Sequence, residues 1–104
     1  MLKKKLRVVP QKSMNKFKGV FVVKNDRGLH TRPSTEIVKC AAGFRSKIIL
    51  RYQNSMANAK SLLGVLMLAA VRGAQVKVEA EGDDAAVAVA ALLELASKQF
   101  HVKY

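Results

Sequence analysis

A histidine between a turn glycine and a helix-starting proline is the first place in this chain where chemistry could occur. The stretch is Gly28-Leu29-His30-Thr31-Arg32-Pro33-Ser34, and His30 is one of two histidines in 104 residues. Imidazole is a nucleophile near neutral pH when one ring nitrogen lacks a proton. Gly28, two residues earlier, allows a turn that leaves the ring standing off the surface. Pro33, three residues later, is tolerated in the first turn of a helix and little beyond it. His30 therefore falls where the free N–H groups of a starting helix can hold an anion such as a phosphoryl group. Arg32 would add a planar pair of donors, where a lysine would give only a point charge. Thr31 and Ser34 could supply hydroxyl bonds, but plain capping suits both hydroxyls. Taken alone, these residues fit an ordinary turn with a surface histidine equally well.

The elements around this stretch follow from pattern. Phe17 to Lys24 reads as strand one; being apolar on both faces, it is expected to lie centrally in a sheet. Asn25-Asp26-Arg27-Gly28 is turn chemistry. The first helix runs from Thr31 or Arg32 to Ala42, with Gly43 placed to close it. Lys47 to Tyr52 reads as strand two, Gln53-Asn54-Ser55 as a hairpin turn, and Met56 to Lys60 as strand three. Ser61 suits the N-cap of a short helix from Leu62 to about Ala70. Gln75 to Glu81 alternates apolar and charged residues, as a half-buried antiparallel strand does. Gly82-Asp83-Asp84 starts the last helix, with Asp83 as the expected cap and Val89, Leu92, Leu93, Ala96 and Phe100 as its apolar stripe. The order βαββαβα and the wet face of strand four predict an α+β domain. Its architecture is an open-faced sandwich, a four-stranded antiparallel sheet with three helices on one face.

Composition narrows the function classes. The net charge is +12. Residues 1–16 hold six lysines and arginines and no acid, so half the excess sits on a segment with little apolar periodicity. That segment is expected to be a poorly ordered basic arm, and 17–104 the folded domain. The lone Cys40 lies in the apolar helical pattern, where a buried small hydrophobe is expected rather than a reactive thiol. One cysteine fits a reducing, cytoplasmic setting. No signal peptide or membrane span is expected, since no apolar run is long enough. Two histidines and one cysteine, widely spaced, match no metal-ligand pattern, and no cofactor is expected. His101 reads as a surface residue. A basic nucleic-acid-binding module is suggested by charge alone; aromatic–basic interleaving and binding motifs are missing, so nucleic acid is not the expected partner. The charge suits acidic protein surfaces instead.

Three stretches together resemble one family. They are Gly28-Leu29-His30-Thr31-Arg32-Pro33 at the start of helix one, Ala59-Lys60-Ser61-Leu62-Leu63-Gly64-Val65-Leu66 at the start of helix two, and Gly73 to Asp83 through strand four. With the element order and domain size, they resemble HPr, the histidine-containing phosphocarrier protein of the bacterial phosphoenolpyruvate-dependent phosphotransferase system. The resemblance spans about 17–100, and residues 1–16 depart from the family's compact N-terminus. It implies that His30 takes a phosphoryl group on Nδ1 from phosphorylated enzyme I and passes it to the IIA domains of sugar permeases. The chain would then be a modified relay rather than a turnover enzyme. The resemblance further implies that Arg32 helps hold the phosphoryl group and that Ser61 matches the serine modified by an HPr serine kinase/phosphorylase in some lineages. Leu62, Leu63 and Leu66 become candidate partner contacts. A mainly regulatory HPr-like phosphoprotein, reporting carbon or nitrogen supply, is the alternative that the same residues allow.

Overall fold

The computed structural model describes residues 15–104; the basic segment expected over 1–16 lies outside these but for its last two residues. Seven elements and a final 3-10 turn follow in order: β1 (Lys16–Val22), α1 (Thr31–Ala42), β2 (Lys47–Tyr52), β3 (Ser55–Asn58), α2 (Leu62–Met67), β4 (Gln75–Glu81), α3 (Ala85–Ser97) and the turn Gln99–His101. The strands form one sheet in the order β1-β4-β2-β3, and every neighbouring pair is antiparallel. This is the expected α+β open-faced sandwich.

Register explains why one face is dry. Gly19 pairs with Val78, Val78 with Leu50, and Leu50 with Ala57, so a single apolar row crosses all four strands. Val78 and Leu50 are fully buried in that row. At its β1 end Gly19 leaves room for α3, because a Cβ there would lie 2.9 Å from both Leu93 Cδ1 and Val89 Cγ1. Ile37 and Ala41 of α1, Val65 of α2 and Leu92 of α3 close the same core with no exposure.

Several sequence expectations shift. β1 is an edge strand and not a central one, since it pairs with β4 alone. Its Val20 and Val22 stand about half exposed on the open face, at 52% and 43%. Their β-branched shape suits a pleated strand whether or not that face is covered, which is why an all-apolar run overstates burial. β3 begins and ends earlier than expected, at Ser55–Asn58. α2 stops at Met67 rather than near Ala70. Ala69 turns left-handed there, with φ +52°, and Ala70 offers its carbonyl oxygen to Leu29 N–H at 2.9 Å. Gly43 does cap α1, but with right-handed φ −77°. Asp84, not Asp83, holds the N-cap position of α3, and its carboxylate serves another loop: it accepts from the backbone N–H groups of Arg45 and Ser46 and from the Ser46 hydroxyl. Those bonds hold the Asp84 carboxyl down from 3.8 to about 2, the Ser46 hydroxyl first among them. Cys40 is half-buried, and burial pushes its thiol up.

Candidate functional site

The loop before α1 is pinned from three sides, and that presents His30. Gly28 has φ +66°, and a Cβ there would meet the Ala70 carbonyl oxygen. Only glycine takes this conformation against that neighbour without strain. Leu29 is buried and its N–H is held by Ala70. Ser34, fully buried one turn into α1, donates its hydroxyl to the Leu29 carbonyl at 2.9 Å. Ser34 thus fixes the loop; it neither caps the helix nor faces an incoming ligand.

His30 is the N-cap residue of α1, with extended backbone and no side-chain cap bond. Its carbonyl accepts the Ser34 N–H at 3.0 Å, so the helix begins on His30 while the ring stays free of capping. The first N–H groups of a helix have no intrahelical acceptor. Here they belong to Thr31 and Arg32, since Pro33 has none. No acidic side chain stands in this first turn to compete for an anion. The Thr31 carbonyl accepts the Thr35 hydroxyl.

The segment after α3 closes over the histidine. The Tyr104 ring stacks on the His30 ring, centroids 5.5 Å apart and planes 18° apart. His30 Nε2 lies 3.1 Å from the Tyr104 main-chain oxygen. The Arg32 guanidinium donates to the Tyr104 hydroxyl at 3.1 Å, and the Arg27 guanidinium sits 5.4 Å over the Tyr104 ring. Sequence reasoning found His30 and Arg32 but passed over Tyr104, Arg27 and Asn25. Asn25 is wholly buried and binds the Gln99 and Val102 carbonyls through Nδ2. In the sequence it sits in an Asn-Asp-Arg-Gly run that reads as turn, which hides its long-range role.

Ser61 is the N-cap of α2: its Oγ accepts Gly64 N–H at 3.1 Å. Lys60 beside it is committed elsewhere, donating from Nζ to the Phe44 carbonyl at 2.7 Å and so tying the start of α2 to the end of α1. Leu62 and Leu63 are exposed, Leu63 at 68%, while Leu66 is half-buried. Met67 and Val71 continue that apolar surface at 74% and 60% exposure. His101 is exposed. Among the described residues no three His, Cys, Asp or Glu side chains are grouped to hold a metal.

The candidate site is thus an imidazole at a helix start, stacked on a tyrosine that two arginines contact, with an apolar shoulder at α2. Comparison with known proteins points to one family. The family model for the HPr component phosphorylation site of the phosphotransferase system matches residues 17–98. HPr-C-His from Thermoanaerobacter tengcongensis is similar at 36% identity and TM-score 0.80, over 85% of this chain and 99% of that one. The phosphocarrier protein HPr from Bacillus anthracis is similar at 30% identity and TM-score 0.72, over 76% and 94%. Crh of Bacillus subtilis, a catabolite repression protein seen as a swapped dimer, is similar at 26% identity and TM-score 0.65, over 95% and 97%. The chain belongs to the HPr family, the phosphocarrier proteins of the phosphotransferase system.

Proposed function

We propose that this chain carries a phosphoryl group on His30 between phosphorylated enzyme I and the IIA domains of sugar permeases. The observation that carries this reading is the uncapped His30 ring at the start of α1, with Arg32 beside it. In the transfer, the lone pair of Nδ1 attacks phosphorus. The bond from phosphorus to the donor breaks, and its electron pair leaves on the donor. The ring keeps its Nε2 proton and becomes cationic. The phosphoryl oxygens accept from the Thr31 and Arg32 N–H groups and from the Arg32 guanidinium once it leaves Tyr104. Donors fixed by the fold cost no reorganisation at that moment, and an exposed site lets the group leave as readily as it came. Delivery to a IIA domain reverses these steps, and the cationic ring departs neutral.

Leu62, Leu63 and Leu66 serve as partner contacts in this reading, and the positive charge speeds encounter with acidic surfaces. Ser61 adds regulation: a phosphate on its hydroxyl places about two negative charges beside exposed Leu62 and Leu63, which makes apolar docking costly and repels acidic partners. Similarity to Crh supports a regulatory reading beside the carrier one. No described helix is long and apolar enough to cross a membrane. A cytoplasmic site of action suits the lone cysteine.

The test is incubation with phosphoenolpyruvate and enzyme I, followed by intact-mass measurement. The parent chain should gain one phosphoryl group. His30→Ala should gain none while keeping its thermal midpoint, because the ring lies outside the core. A full mass gain in the variant would sink the assignment.

A further inference from the structure

The helices cover one face of the sheet, and strand alternation puts a different set of side chains on the other. The register orders that second set into rows across the strands. Lys16 of β1, Glu81 of β4 and Lys47 of β2 form the first row. Lys18, Glu79, Ile49 and Asn58 form the second. Val20, Lys77, Arg51 and Met56 form the third. Lys16, Lys18, Lys47, Arg51 and Lys77 are all exposed. Arg51 pairs with Glu79 at 2.9 Å, while the four lysines are in no ion pair among the described residues. Lys77 and Arg51 stand directly opposite each other on neighbouring strands, and a like-charge pairing of this kind costs stability. Five cations thus share the face with two carboxylates, one of which Arg51 already engages. Lys16, Lys18, Lys47 and Arg51 also line a groove of about 290 Å3 there, with Glu79 and Glu81 between them.

We propose that this uncovered sheet face docks on an anionic lipid bilayer, with its lysines against the head-group phosphates. Charge complementarity carries the argument: each lysine or arginine close to an anionic leaflet adds to the attraction. The cations stand on one side of a broad sheet, so many of them meet an extended surface at once. Exposed Val20 and Met56 lie in the third row and exposed Val22 follows along β1, giving apolar tips that enter the head-group boundary. The chain before β1 joins the sheet at Lys16, and its Lys3, Lys4, Lys5, Arg7 and Lys12 add charge of the same sign with no acid among them. Nucleic acid fits this face less well. None of the side chains in the three rows is aromatic, so bases have nothing to stack on. The inference goes beyond the carrier reading and does not depend on it. His30, Leu62 and Leu63 belong to the helical layer, so a protein lying on lipid keeps them open to partners.

The test is co-sedimentation of the full chain with vesicles of phosphatidylcholine and phosphatidylglycerol in equal parts, against vesicles of phosphatidylcholine alone. The parent should bind the first and not the second, and added salt should weaken the binding. The double variant Lys18→Gln, Lys77→Gln removes two charges from the face and should bind about 25-fold more weakly, or about fivefold for each lysine. Both side chains are exposed, so its thermal midpoint should not fall. The matched double variant Lys39→Gln, Lys98→Gln removes the same charge from the helical layer and should bind the vesicles as the parent does. Equal binding to both kinds of vesicle would overturn the proposal. So would equal losses in the two double variants, or none in Lys18→Gln, Lys77→Gln, since the attraction would then come from charge elsewhere on the chain. Tighter binding to a single-stranded oligonucleotide than to the anionic vesicles in the same buffer would assign the face to nucleic acid instead. His30 phosphorylation enters none of these readings, so the carrier assay and the vesicle assay fail or succeed separately.

Discussion

At the scale of single residues, Gly28 does more than permit a turn. It is the point where the His30 loop touches the chain leaving α2, against the Ala70 carbonyl. Gly28→Ala combines a left-handed alanine with a backbone collision, and should destabilise the domain by about 2–3 kcal/mol. It should also slow phosphorylation of His30 beyond what the lost stability explains, because Leu29 must move and His30 with it. Urea denaturation and the enzyme I assay run side by side would check this; a variant with parental stability would refute it. Cys40 shows the opposite economy. Burial pushes its thiol up, and it packs against the core as a small residue of α1.

Among the elements, α1 and α2 divide the work differently although each begins on a residue the sequence marks. α1 is twelve residues long and its N-cap side chain makes no cap bond. The loop is instead held by Ser34 from inside the helix, which leaves the His30 ring free of capping and stacked on Tyr104. α2 has six residues and a true side-chain cap in Ser61. Ser61→Ala should cost about 1 kcal/mol in chemical denaturation, since it removes the acceptor of Gly64 N–H. In the carrier assay the same variant should take up phosphoryl from enzyme I as the parent does. In a reaction with ATP and an HPr kinase it should show no mass gain where the parent gains one phosphoryl group. Loss of enzyme I phosphorylation in Ser61→Ala would show that the cap also supports His30, against the separation argued above.

For the whole molecule, Asp84 adds a pH-dependent contribution to stability in the acid range. It joins the start of α3 to the loop between α1 and β2, accepting from Ser46 and Arg45. Its folded carboxyl is held to about 2 against 3.8 ordinarily. The unfolded chain therefore binds more protons than the folded one in the window between those values. Stability from this group is fully present above it and lost as pH falls through it. Asp84→Asn should lower the thermal midpoint at pH 7, and the gap from the parent should close as pH approaches 2. A constant gap at every pH would mean that charge is not the cause.

Local chemistry made much of this legible in advance. The alternation from Gln75 to Glu81 defines β4 to the residue, and Thr31 to Ala42 shows its helical period directly. Gly28 is legible as a turn residue and Ser61 as a cap, because a turn and a cap are local, and the types and spacing of His30 and Arg32 mark them as candidates. Tertiary structure alone decided the rest. Strand order made β1 an edge, since pairing partners lie far apart in the chain. The Leu29–Ala70 bond accompanies the early end of α2, and nothing within α2 foretells it. Most of all, Tyr104 reaches His30 across 74 positions of sequence, through a left-handed turn that Asn25 and the buried Phe100 hold in place. No periodicity or motif encodes such a contact, because it exists only once the core has brought the two ends of the described domain together.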